Sequence, residues 1–392
     1  MPDEEKPRKS SPTRLPFGRI ASVILILLFS CILIVVNAAI IAIEGFDAIT
    51  LGWIGISALL PALLYGTIIV LLDVREREPL RLLALAFLWG AFVAMSGSYV
   101  INTSLYVIAA VAVGEGLGEV IAAVMVAPFV EESAKAAGLV LLVWLFRREF
   151  NNVTDGIVYG ALIGIGFGMT ENVVYLGSGY RESGTEEFAM LFYLRVILGG
   201  FGHAGYTALT GAGIGYLRET DVGRWRIAAP IIGLIAAMLG HAAWNSVFAL
   251  LIGIALDPDD FFRYYVIVPV IVFLGMLPGY VAVLLLLIRS WHREAEIIRL
   301  YLESEVHTGE LTPGEHQRLA STRMRLSYEL RTLQSQGFRA WLDARRLHQK
   351  LTKLAFRKWQ LSRGDLSAAP DPTLDVEFRE PIRRLRSFLP PA

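Results

Sequence analysis

Apolar positions fall into eight runs along this chain, at 20–43, 51–72, 82–112, 119–146, 156–178, 190–217, 227–253 and 263–288, with short charged stretches between them. At 1.5 Å per residue, each is long enough to cross a hydrocarbon core of about 30 Å as a helix. The pattern predicts an all-α polytopic membrane protein of about eight transmembrane helices. The first run follows a basic lead-in of Lys6, Arg8, Lys9, Arg14 and Arg19. Its length exceeds the roughly 7–15 residues of a signal-peptide core, so it is expected to be a retained anchor. The third run is long for one span, and Ser96-Gly97-Ser98 or Asn102-Thr103 mark the expected kink.

Lys and Arg in the short loops set the orientation. Arg75, Arg77, Arg81, Arg147, Arg148, Arg218, Arg224, Arg226, Arg289 and Arg293 all fall on the side of the basic N-terminus. The opposite loops carry Glu44, Asp47, Glu115, Glu119, Glu182, Glu186, Glu187, Asp257, Asp259 and Asp260, with lone Arg181 and Arg263. Eight spans with cytoplasmic N- and C-termini satisfy every loop. Four regions follow: a disordered basic N-terminus over 1–19, a membrane domain over 20–289, a cytoplasmic amphipathic helical region over 290–361, and a disordered tail over 362–392. In the third region, Thr312-Pro313-Gly314-Glu315 has the capping pattern that starts a helix. Further on, Phe338, Trp341, Leu342, Leu347, Leu351, Leu354 and Trp359 alternate with basic residues. That stretch predicts a helix that lies on the anionic inner leaflet or packs into a hairpin on itself.

Polar positions inside the runs carry the chemistry. Glu131, Glu132 and Lys135 lie in the fourth run, Glu171 in the fifth, His203 in the sixth, and His241 with Asn245 in the seventh. A charged residue at the centre of a membrane helix costs roughly 2.5–3.5 kcal/mol on insertion scales, which makes such residues functional candidates. Counted from the cytoplasmic end of each span, all four places lie roughly 22–24 Å deep, at one level in the outer half of the core. Structural polar residues scattered at random would not share a depth. Lys135 is spaced i,i+4 from Glu131 and i,i+3 from Glu132, so it can partly neutralise either carboxylate. His203 shares a face with Thr207, and His241 with Asn245. Gly156, Gly160, Gly164 and Gly168 form a small-residue stripe on the helix that ends in Glu171, which allows close helix approach.

Composition narrows the class. The chain is 55 % hydrophobic with a mean hydropathy of +0.53, and its formal net charge is zero. The lipid bilayer is the implied environment, and nucleic acid is not an implied partner. Cys31 is the only cysteine, so neither a disulfide framework nor a thiolate metal site is available. Two imidazoles and a carboxylate resemble the catalytic zinc sites of the two-His-one-Glu kind. In that arrangement Glu171, His203 and His241 hold a divalent metal, zinc by donor type. One of Glu131 and Glu132 is then general base and the other a further ligand candidate, and Asn245 is an amide donor to the oxyanion. A metal-free alternative has a glutamate and a histidine activate water directly.

With Glu131-Glu132 and Lys135, Phe167 with Glu171-Asn172, His203 with Tyr206-Thr207, and His241 with Trp244-Asn245 in view, the chain resembles the PrsW family of intramembrane metalloproteases over about residues 50–290. It is more distantly similar to the CAAX prenyl protease and bacteriocin-processing superfamily, with Glu171 standing where that superfamily has a histidine. The resemblance implies an endopeptidase of the bacterial cell membrane. Its substrate would be a single-pass membrane protein of the anti-sigma-factor kind, cut near the extracytoplasmic side. Two other classes fit the polar residues: a proton-coupled transporter, for which inverted repeats are expected and none is found, and a non-catalytic membrane scaffold.

Overall fold

A computed structural model describes residues 47–220, 223–253, 262–364 and 374–388. Among them the fold is all-α, with no strand. The run at 20–43, Cys31 and the loop with Asp257, Asp259 and Asp260 lie outside the described residues. The membrane part comprises α1 (Ala48–Leu72), α2 (Leu80–Val113), α3 (residues 115–145), α4 (Val153–Ser183), α5 (Thr185–Leu191, continued by a π turn at Phe192–Leu198), α6 (Gly202–Glu219), α7 (Arg224–Gly253) and α8 (Val268–His307). Three further helices follow: α9 (Pro313–Ala320), α10 (Thr322–Ser362) and α11 (Glu380–Arg386).

Among the described residues, six helical stretches are long and apolar enough to cross a membrane: Ala48–Leu72, Leu80–Val113, Val153–Ser183, Thr185–Glu219, Arg224–Val247 and Tyr265–His307. The expected span at 119–146 is helical as α3, but Glu131, Glu132 and Lys135 at its middle reduce its apolar content. The chain is a multi-pass membrane protein. Leu60, Leu64 and Leu71 of α1, Ile231, Ile235 and Leu239 of α7, and Phe273, Leu274 and Leu285 of α8 are exposed, as lipid-facing side chains are.

Helix α4 is the axis of the fold. Asn152 caps it through a reciprocal pair with Asp155, and every residue from Val153 to Gly168 is buried. Its glycine stripe meets α6 backbone to backbone. A methyl group at Gly156 would sit 2.0 Å from the carbonyl oxygen of Gly211, at Gly160 2.5 Å from that of Thr207, and at Gly164 2.2 Å from that of His203. On another face, a methyl group at Gly90 of α2 would lie 1.9 Å from the Ile163 carbonyl oxygen. That contact lies within the π turn Trp89–Ala94, which is where α2 is distorted. The expected break at Ser96–Ser98 or Asn102 is instead regular helix.

The segment after the membrane domain is folded rather than laid open. Ile298 and Leu302 of α8, Leu319 of α9, Leu347, Leu351 and Leu354 of α10, and Phe378 and Ile382 around α11 form one core. Of the two expectations for the amphipathic stretch, self-packing accounts for Leu347, Leu351, Leu354 and Trp359, which are buried, whereas Phe338 stays exposed. Gly337, with a φ of 85°, breaks α10 between the two parts. The end expected to be disordered contains α11 within its described part, docked through Ile382.

Candidate metal centre

Helix α3 delivers its acidic pair immediately after a distortion. In the π turn Ala122–Val126 the amide of Ala127 bonds back to Ala122, five residues away. The Ala123 carbonyl in turn needs the amide of residue 128, which is Pro128 and has no N–H. Asn245 of α7 meets that need, its Nδ2 donating to the Ala123 oxygen at 2.7 Å. The amide expected to face an oxyanion is thus committed to the backbone of α3.

Glu132 is fully buried and fully satisfied. Its Oε1 accepts from Lys135 Nζ at 2.8 Å and lies 3.1 Å from His241 Nδ1, and its Oε2 accepts from Thr207 Oγ1 at 3.1 Å. Lys135 Nζ also lies 3.1 Å from His203 Nδ1, 3.6 Å from Glu131 Oε2 and 3.7 Å from the centre of the Phe167 ring. An ammonium only donates, so His203 accepts at Nδ1 and carries its proton on Nε2. That nitrogen is 2.8 Å from Glu171 Oε2. By the same reasoning His241 donates from Nδ1 to Glu132, which leaves its Nε2 lone pair on the side of Glu131 Oε2, 3.8 Å away. Tyr206 stacks on the His241 ring at 5.5 Å with 12° between planes, fixing its orientation.

Glu131 differs from its neighbour. Asn102 of α2 donates to its Oε1 at 3.2 Å, but the buried Oε2 has no hydrogen-bond partner. Glu131, His203 and His241 each offer one ligand atom, and these atoms all lie within 4.8 Å of one another. A buried carboxylate oxygen without a hydrogen bond and two imidazoles whose orientations are fixed by other contacts converge on one point, and a cation there would take over contacts that the Lys135 ammonium now makes. The donor set of two nitrogens and one oxygen fits a catalytic zinc-type ion.

The structure brings Glu131, Glu132, Lys135, Glu171, His203 and His241 into one network across α3, α4, α6 and α7. Within it, Glu131 is the carboxylate that offers an oxygen within 4.8 Å of a nitrogen of each histidine. Glu171, expected in that place, lies on the far side of the His203 ring, where Arg195 NH2 also donates to its Oε2 at 2.6 Å. Sequence reading passed over Arg195, although an arginine inside the run 190–217 is itself a signal in a membrane helix. It also took Asn102 only as a possible helix break. Beside His203, a cavity of about 30 Å3 is walled by Pro61, Tyr65, Asn172, Arg195, Gly199 and Trp244. That is room for about two waters.

Residues 78–276, half of the chain, match the family described as PrsW family intramembrane metalloprotease. The matched stretch holds every member of the network. No curated protein and no solved structure matches the chain.

Proposed function

The chain belongs to the PrsW family of intramembrane metalloproteases, and from that premise we propose that Glu131, His203 and His241 hold its metal and that it cuts a membrane-anchored protein near the extracytoplasmic face. The enzyme is a metal-dependent endopeptidase of the membrane. The observation that carries the assignment of ligands is the buried, unpartnered Oε2 of Glu131 within reach of two oriented imidazoles.

Glu131, His203 and His241 would hold a divalent ion, zinc by donor type, which would supply a Lewis acid and lower the pKa of a water at the site. Glu132 is the general base. It takes a proton from the water, whose oxygen attacks the peptide carbonyl carbon, and passes that proton to the leaving amine nitrogen as the carbon–nitrogen bond breaks. Lys135 stays protonated and balances the oxyanion, the part first given to Asn245. Thr207 and His241 hold Glu132 in place.

The proposed substrate is a single-pass membrane protein of the anti-sigma-factor type, in a bacterial cell membrane. A cytoplasmic C-terminal region is supported by its contacts with the arginine-rich loops: Arg325 donates to the Arg75 carbonyl at 3.3 Å and Gln360 to the Arg148 carbonyl at 3.2 Å. The test is cleavage of a co-expressed single-pass substrate together with metal analysis of the purified protein. Glu131→Gln is expected to lose the metal and more than about 100-fold in cleavage, whereas Glu132→Gln keeps the metal and loses cleavage. If Glu131→Gln retains metal at the wild-type ratio, the ligand assignment is wrong.

A further inference from the structure

Arg195 lies in the π turn Phe192–Leu198, and its side chain is 11 % exposed. Three contacts fix the guanidinium. It stacks 3.7 Å above the Tyr175 ring, its Nε donates to Asn172 Oδ1 at 3.3 Å, and its NH2 donates to Glu171 Oε2 at 2.6 Å. The same carboxylate oxygen is 2.8 Å from His203 Nε2. A guanidinium is not deprotonated in proteins, so a permanent charge stands beside Glu171, and its rigid fork grips two successive residues of α4.

We infer that Arg195 is a positioning residue of the metal centre: it fixes Glu171 as an acceptor, which holds the His203 proton on Nε2 and leaves Nδ1, which here accepts from Lys135, as the nitrogen a metal ion would take over. The inference rests on the ligand triad proposed above. The opposite side of the ring supports it independently, because the Lys135 ammonium at 3.1 Å also requires Nδ1 to be unprotonated. Metal-bound histidines commonly donate their second nitrogen to a carboxylate, and losing that partner costs about 10–100-fold in metal affinity. Here the arrangement runs one residue further, from imidazole to carboxylate to guanidinium.

The test uses the full-length protein in lipid nanodiscs with 15N-labelled histidine. In the metal-free wild type, the His203 ring is expected to be protonated at Nε2 alone. Arg195→Gln is expected to keep that tautomer, which Lys135 also enforces, but to shift the His203 Nε2 resonance as Glu171 loses its clamp, and to weaken zinc binding about 10–100-fold in chelator competition, with cleavage recovered at saturating zinc. Arg195→Lys keeps the charge without the fork and is expected to fall between the two, which separates positioning from misfolding. Adding Arg195→Gln to Glu171→Gln is expected to cause no further loss, since both act through one oxygen. An unchanged His203 Nε2 resonance in folded Arg195→Gln overturns the inference. A shifted resonance in a protein whose wild type binds no zinc would uphold the positioning role and refute the triad.

Discussion

At the scale of single residues, the two adjacent glutamates show how environment divides labour between identical side chains. Glu132 receives Lys135, His241 and Thr207, while Glu131 receives only Asn102 and keeps one buried oxygen without a donor. Removing a donor from a buried carboxylate costs about 1–3 kcal/mol, because the lost bond is not replaced by water. Thr207→Val keeps the volume and deletes the donor to Glu132. Its effect is expected on the base alone: kcat about 5–150-fold lower, following from that range, with KM and metal content unchanged. Thr207→Ser is expected to keep most of the activity. Single-turnover cleavage of a reconstituted substrate measures this, and a wild-type kcat in Thr207→Val would remove Thr207 from the catalytic argument.

At the scale of elements, the α4–α6 contact sets the site, because His203 follows directly from where α6 rests on the glycine stripe. Gly160→Val puts a methyl group 2.5 Å from the Thr207 carbonyl oxygen, on the same turn of helix that carries the donor to Glu132. Overpacking of this kind costs about 1–3 kcal/mol or more, and here the backbone must move. Both thermal stability and cleavage are expected to fall. Gly97→Ala in α2 faces open space and is expected to leave both within error or raise stability by up to about 1 kcal/mol. If the two variants behave alike in a thermal-shift assay, the stripe is not what positions α6. The stripe and the convergence of Glu131, Glu171, His203 and His241 were legible in the sequence, since helical rise and spacing determine relative height and face. The partners were not. Periodicity does not say which nitrogen of His203 meets Glu171, nor that Pro128 leaves Ala123 in need of Asn245. Likewise, the pattern over 338–359 records one apolar face without saying whether lipid or α8 and α9 cover it.

At the scale of the whole molecule, a second buried polar layer joins the membrane helices to the folded tail. The loop between α1 and α2 carries Asp73, Arg75, Glu76 and Glu78, all buried. Asn151 donates to Glu76 at 3.2 Å and Tyr159 to Glu78 at 2.5 Å, while Lys353 of α10 pairs with Glu149 at 3.1 Å. Burial pushes Glu76 up to about 7 against the pull of Lys353, with Glu149 and Glu294 adding to the rise, and burial also raises Asp73 and Glu78. Because the folded pKa of Glu76 lies above its ordinary value, the folded state binds the proton more tightly. Stability then falls as pH rises from the unfolded pKa near 4.5 to about 7, and levels off above it. At about 1.4 kcal/mol per unit, the ceiling on this loss is about 3 kcal/mol. Hydrogen exchange along α10 is therefore expected to quicken between pH 5 and pH 8 beyond its intrinsic pH dependence. Glu76→Gln, which cannot ionise, is expected to flatten that trend and to protect α10 most at pH 8. Equal slopes in wild type and Glu76→Gln would mean that the tail is held by its apolar core and by Arg325, and that the acid layer does not govern its docking.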